Sequence, residues 1–327
     1  MQVFSACVGL WTATLLFFSP ALAEEAPTTE TLYPSSLIAL SSDSHFSQYA
    51  FLVDKTARTL RVYQVHDKTI DLIEEHPADI GKNTGDKERA NDARTPVGIY
   101  FLMTKKTQPE IPFSLYGSRA FTTDYPNIFD QRVAKSGSGI WLHAVPDNVP
   151  LTRGSRGCVV VRNNVIQHLE KYIRLGQTPL VITEKAEYVT KADYLDYQKK
   201  YLDFFEQWRL AWEKSEADQY IQFYDPTFRN SEMNYKQWYR HKKKLKDLYS
   251  FIKVELGPPI ILRNKDQVVI RTLQNYQSDL HHDFGEKTLH AHFSPEVGFH
   301  IIREDWVPVD PPNVTLASPE PPATGHN

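Results

Sequence analysis

A histidine and a cysteine fifteen residues apart, His143 and Cys158, are the side chains in this sequence best suited to covalent chemistry. His143 closes the run Ile140-Trp-Leu-His143, and Cys158 stands in Ser155-Arg-Gly-Cys158, followed by Val159-Val-Val161. A thiol is a nucleophile once deprotonated, and an imidazole can take its proton. A glycine beside the sulfur lets the backbone turn tightly against a substrate. The chain has two cysteines, and the other, Cys7, lies in an apolar N-terminal segment. If that segment is removed on export, Cys158 has no partner for an intramolecular disulfide, and nucleophilic catalysis is the reading that explains its presence. An inert buried cysteine beside a structural histidine is the plainer alternative.

The export reading rests on residues 1–23. Val3 to Phe18 is almost wholly apolar and ends in Ser19-Pro-Ala-Leu-Ala23, a small-residue cleavage pattern, with Glu24-Glu25 beyond. No Lys or Arg precedes the run, so an uncleaved anchor is the competing reading. No later stretch is long and apolar enough to span a bilayer, which predicts a mature chain in the periplasm or cell envelope with no transmembrane span. The net charge of −3 argues against nucleic acid as a partner, because phosphate neutralisation needs a basic face. The basic run Arg240-His-Lys-Lys-Lys-Leu-Lys246 falls in a helical pattern and reads as a solvated face.

The elements that must hold His143 and Cys158 change character near residue 185. Before it, short β-branched and aromatic runs alternate with turn residues. Ala50–Asp54 and Thr59–Val65 read as a hairpin turning over Lys55–Arg58, and Gly98–Met103, Gly139–His143, Cys158–Val161 and Pro179–Thr183 as further strands. Asn164–Leu175 reads as the one helix there, and Thr104–Ser138 as a long irregular loop suited to a lid. After Lys185, Tyr194, Tyr197, Tyr201, Phe204, Phe205, Trp208, Ala211 and Trp212 recur at helical spacing. Helices around Asp218–Tyr224 and Tyr235–Tyr249 follow, then strands over Ile252–Leu262, Gln267–Ser278, Lys287–Phe293 and Phe299–Trp306. The expected organisation is a signal peptide over 1–23, an N-terminal segment over 24–48, a mostly-β domain over 49–184, an α+β domain over 190–307 and a disordered Pro-rich tail over 308–327.

Residues 49–184 resemble the L,D-transpeptidase catalytic domain of bacterial cell-wall enzymes, the YkuD-like fold. The resemblance is carried by Phe51-Leu-Val-Asp-Lys55 with Thr59-Leu-Arg-Val-Tyr63, by Asn83-Thr-Gly-Asp-Lys87, by Arg94-Thr-Pro-Val-Gly-Ile-Tyr100, by Tyr125-Pro-Asn127 with Gly139–His143, and by Ser155-Arg-Gly-Cys158. Residues 190–307 are similar to the NTF2-like fold, a cone of helices wrapped by a curved sheet. On that likeness Trp208, Trp212, Tyr224, Trp238, Tyr276 and Trp306 are expected mainly in the core. The combination resembles the cell-shape L,D-carboxypeptidases of helical bacteria, which trim peptidoglycan stem peptides.

The resemblance implies that the bond between an L-diamino-acid centre and a terminal D-Ala is attacked by Cys158, giving a thioester, with His143 as general base and then acid. The backbone N–H groups of Gly157 and Cys158 are the expected oxyanion donors, and Ser155 is expected to fix the loop or orient the histidine. Two positions depart from the family. Ala144 follows the histidine where glycine is usual, and Val160 stands two after the cysteine where Arg or Asn is common. Arg156 is the candidate to meet a substrate carboxylate, with Tyr125 and Arg162 as further binding residues. Whether water or an amine resolves the thioester decides between carboxypeptidase and transpeptidase, and the residues are the same for both. A non-catalytic scaffold, in which the second domain binds a wall fragment, is a reading of a different class. His281, His282, His290, His292 and His300 crowd one region but lack a matching Cys or carboxylate cluster, so no metal and no cofactor is expected. The oligomeric state stays open, a homodimer included.

Overall fold

The computed structural model describes residues 31–152, 154–294 and 298–311. The segment read as a signal and the tail beyond residue 311 lie outside the described residues. Among the described residues no helix is long and apolar enough to cross a membrane.

Two short strands, β1 (Tyr33–Pro34) and β2 (Leu37–Ala39), come first. They precede β3 (Tyr49–Asp54), β4 (Thr59–His66), β5 (Thr69–Pro77), β6 (Gly98–Thr107), helix α1 (Phe113–Tyr116), β7 (Arg119–Thr123) and helix α2 (Ile128–Arg132). The half closes with β8 (Trp141–Val145), β9 (Val159–Arg162), helix α3 (Asn163–Leu169), β10 (Pro179–Thr183) and β11 (Tyr188–Val189). Eight of these strands form one sheet in the order β5-β4-β3-β10-β6-β7-β8-β9. The β3–β4 hairpin turns where expected, with Asp54 opposite Thr59. The β3–β10 and β8–β9 pairs are parallel.

The stretch Thr104–Ser138 is not an irregular loop. β6 continues to Thr107, and α1, β7 and α2 all lie inside it. β7 is a central strand whose Ala120 and Phe121 are buried, between β6 and β8. Its short apolar content and surrounding turn residues hid it, because burial on both sides removes the polar alternation that marks a half-exposed strand.

The second half begins with the long helix α4 (Lys191–Glu213), started by Thr190, whose hydroxyl accepts from the Asp193 N–H. Its aromatic stripe is buried as spacing predicts, Tyr194, Tyr201, Phe204, Phe205, Trp208 and Trp212 all facing inward. After α5 (Ala217–Tyr220) comes α6 (Tyr235–Leu248), opened by a capping box between Asn234 and Gln237. Strands β12 (Ile252–Leu256), β13 (Ile260–Asn264), β14 (Gln267–Ser278), β15 (His282–Ser294) and β16 (Gly298–Pro308) wrap the helices. The single strand expected over Ile252–Leu262 is two, because Pro258 and Pro259 lack the N–H donors needed to continue a ladder.

The two halves share a core. Ile99, Phe101 and Val181 of the first sheet pack in one cluster with Ile260, Leu262, Val269 and Ile302 of the second. The N-terminal segment straps them together. β1 pairs with β11, while β2 joins the second sheet against β13. Tyr194 on α4 stacks on Tyr33 and donates its hydroxyl to the Leu37 carbonyl at 2.9 Å. At the same seam Arg271 binds Glu286 and also donates to the Gly176 carbonyl at 2.9 Å, over the Phe101 ring.

Candidate active site

In the parallel β8–β9 pair His143 lies opposite Val160, and Cys158 stands directly before β9, two residues ahead of Val160. His143 is buried, and its Nδ1 lies 2.7 Å from the Ala144 carbonyl oxygen. A carbonyl can only accept, so that contact places the proton on Nδ1 and leaves Nε2 to act as the base. The Cys158 thiol donates to the Gly139 carbonyl at 3.4 Å. Burial pushes this thiol up to about 11, against smaller opposing effects of the Trp141 N–H, Arg156 and Lys87. Burial therefore favours the neutral thiol over the thiolate at this position.

The loop carrying the nucleophile is braced from within and from below. Ser155 Oγ donates to the Cys158 carbonyl at 2.7 Å and accepts from the Gly157 N–H at 3.0 Å. That second bond corrects one expectation. The Gly157 N–H is occupied by Ser155, which leaves the Cys158 N–H as the remaining candidate of the expected donor pair. Gly157 is needed for shape instead, since its φ is +130° and a Cβ would stand 2.7 Å from the Arg94 carbonyl oxygen. Below the loop, the buried Asp79 carboxylate accepts from the Gly154 N–H at 2.7 Å and the Ile80 N–H at 2.9 Å, and pairs with Arg58. Asp79 also exchanges backbone bonds with Val160, Asp79 N–H to Val160 O at 2.7 Å and the reverse at 2.8 Å. Neither Asp79 nor Arg58 carries a motif, so only their long-range contacts reveal them.

The expected binding residues divide. Arg156 is exposed beside Cys158, where its charge acts on the thiol. Arg162 does not face the site, because its guanidinium donates to the carbonyls of Asp147 at 3.3 Å and Val149 at 2.6 Å and anchors that loop. Tyr125 is 5 % exposed, packs on Tyr100, and donates its hydroxyl to the Ser136 carbonyl at 3.2 Å, so it is a core residue rather than a substrate contact. Val160 is buried in the sheet.

A second concavity opens in the α+β half. A cavity of about 290 Å³ is lined by Trp212, Trp238, Lys242, Tyr276, Lys287 and Glu304 among others. Lys242 belongs to the basic run expected to be solvated, yet it is buried, with its ammonium 3.9 Å from the Trp212 ring centroid and 4.5 Å from that of Trp238. Trp238 and Lys242 are one turn apart on the inward face of α6, which a run of charges conceals. Lys287 donates to Glu304 at 2.5 Å, and the indole N–H groups of Trp212 and Trp238 are buried with no protein acceptor. Trp208, Trp212, Tyr224, Trp238 and Tyr276 are core as expected, with Trp212, Trp238 and Tyr276 also lining this cavity, whereas Trp306 lines it from an exposed position. The histidines of this half are dispersed, with His281 on Asp283, His282 on Asn275 and His292 on Asp266. Among the described residues no group of three His, Cys, Asp or Glu side chains could hold a metal ion.

This arrangement matches known proteins in both halves. Residues 48–182 match the L,D-transpeptidase catalytic domain, YkuD, and residues 200–305 match the Cds6 C-terminal NTF2-like domain. The solved structure of Bdellovibrio bacteriovorus Bd1075 is 50% identical, with a TM-score of 0.80 over 86% of this chain and 99% of that one. The helical cell shape determining protein Pgp2 from Campylobacter jejuni is 26% identical, with a TM-score of 0.64 over 84% of this chain and 94% of that one. No curated protein matches the chain. The chain belongs to the L,D-transpeptidase family, in the group that carries a C-terminal NTF2-like domain. It is a cysteine-dependent enzyme of the L,D-transpeptidase type, a family that acts on peptidoglycan in the cell envelope.

Proposed function

We propose that the protein is a periplasmic L,D-carboxypeptidase that removes the terminal D-Ala from peptidoglycan tetrapeptide stems, leaving tripeptides. The observation that carries this reading is the contact of His143 Nδ1 with the Ala144 carbonyl on β8, beside the parallel strand β9 that Cys158 directly precedes. His143 Nε2 takes the Cys158 proton as sulfur attacks the diamino-acid carbonyl, and the Cys158 N–H meets the oxyanion. The protonated imidazole then gives its proton to the D-Ala amine as the C–N bond breaks. Water, deprotonated by the same imidazole, cleaves the thioester and regenerates the thiol. Arg156, exposed beside the sulfur, is the charge available to the terminal D-Ala carboxylate. Export through residues 1–23 belongs to the same proposal.

Likeness to a helical cell shape determining protein supports hydrolysis, since a cell-shape role is served by trimming stems. Transfer to an acceptor amine is the competing outcome of the same thioester. Incubating the mature chain with disaccharide tetrapeptide, with and without an acceptor stem, tests it. Release of D-Ala and tripeptide in both cases is expected. A crosslinked product in place of tripeptide would make the enzyme a transpeptidase, and no turnover with an unmodified Cys158 would end the catalytic reading. The cavity around Lys242 and Lys287 favours a further role for the second half, holding a wall fragment while the first half acts.

A further inference from the structure

The single helical turn α1 lies over the histidine. The Tyr116 ring centroid is 5.0 Å from that of His143, at an interplanar angle of 70°, and 5.0 Å from that of Trp141. Trp141 and His143 alternate on β8 and share a face, so Tyr116 touches both rings of the row that also leads to Cys158. Edge-to-face contact of this kind is directional and holds a ring at one angle.

The turn is pegged at both ends. Ile111 before it is buried, and Gly117 after it has φ +63° and donates to the Phe113 carbonyl at 2.9 Å. A Cβ on Gly117 would stand 2.7 Å from the Ala144 methyl and would also strike the Asn163 side chain. Asn163 in turn accepts from the Ser118 N–H at 2.9 Å. Ala144 is one of the two positions noted above, and the missing side chain of Gly117 makes room for its methyl.

We infer that Tyr116 is a positioning residue for the catalytic imidazole, its ring holding His143 in the rotamer whose Nδ1 donates to Ala144 and whose Nε2 addresses Cys158. The inference rests on the catalytic reading above. Without the ring, the imidazole can swing about χ2, and a base misplaced by about 1 Å costs on the order of 100-fold in rate. Substrate binding is largely untouched because Tyr116 acts through His143.

Tyr116→Ala and Tyr116→Phe in the full mature chain test it, with D-Ala release from disaccharide tetrapeptide followed across pH. Tyr116→Ala should lower kcat by about 10- to 100-fold with KM within about threefold, and should move the acid limb of the kcat/KM profile. Tyr116→Phe, which keeps the ring contact, should restore kcat to within about threefold of wild type. Imidazole NMR gives a readout independent of turnover and of substrate. The Nδ1 proton of His143 should be protected from exchange in wild type and Tyr116→Phe and lose that protection in Tyr116→Ala. Unchanged kcat and pH profile in folded Tyr116→Ala would overturn the inference, as would Tyr116→Phe as impaired as Tyr116→Ala. Absence of turnover in wild type with the Nδ1 proton still dependent on Tyr116 would instead remove the catalytic reading and leave the contact standing.

Discussion

The Cys158 thiol rests against the Gly139 carbonyl, sulfur to oxygen 3.4 Å, as a hydrogen-bond donor. A thiolate could not donate in that bond, and burial pushes the group up to about 11, so a thiol still protonated at neutral pH is expected. The rate of alkylation by iodoacetamide, followed by mass on Cys158, should therefore keep climbing above pH 9. A plateau reached below pH 8 would show a preformed thiolate instead.

Gly157→Ala should be far more harmful than its size suggests. The new methyl meets the Arg94 carbonyl at 2.7 Å from a backbone at φ +130°, so the loop must move and take Cys158 with it. A loss of about 100-fold or more in kcat/KM is expected. Ser155→Ala removes two loop bonds but forces no clash, and a loss of about 10-fold is expected in the same assay.

Asp79→Ala should act on stability before it acts on chemistry. It strips acceptors from the Gly154 and Ile80 N–H groups and leaves Arg58 without its carboxylate partner. Losing a buried, multiply bonded carboxylate costs about 3 kcal/mol, read as a lower urea midpoint with an unchanged m-value. A midpoint equal to wild type would mean the loop is held by other contacts.

Lys242 carries a stability penalty set by pH. Burial lowers it from the usual lysine range to about 7, so the unfolded chain holds this proton more tightly than the folded one. Stability linked to Lys242 is therefore lowest below pH 7 and recovers as pH rises through the window from about 7 toward the ordinary lysine value. Lys242→Met should stabilise the protein on the order of 2–4 kcal/mol at pH 6 and much less at pH 10, measured by denaturant unfolding at both. An equal effect at the two pH values would contradict the burial of the charge.

Local sequence was enough for the elements that repeat or punctuate. The aromatic stripe of α4, the β3–β4 hairpin and the strand over Pro179–Thr183 follow from spacing and turn residues alone. His143 and Cys158 stood out as candidates because motifs with their own residue types bracket both. What escaped was whatever depends on distant neighbours. β7 lacks alternation because it is central, and Lys242 hides in a basic run because only packing selects which lysine turns inward.

The amino-acid sequence by itself determined the family and singled out Cys158 and His143 as candidates, since both are written in contiguous residue types. Only the tertiary structure decided that Gly157 shapes the loop while its N–H is taken by Ser155, that Tyr125 is core, and that Asp79 and Tyr116 stand under and over the site. The physical reason is that a hydrogen bond or a ring contact is fixed by distance in space. A one-dimensional pattern reports which groups exist, and the fold decides which of them are already spoken for.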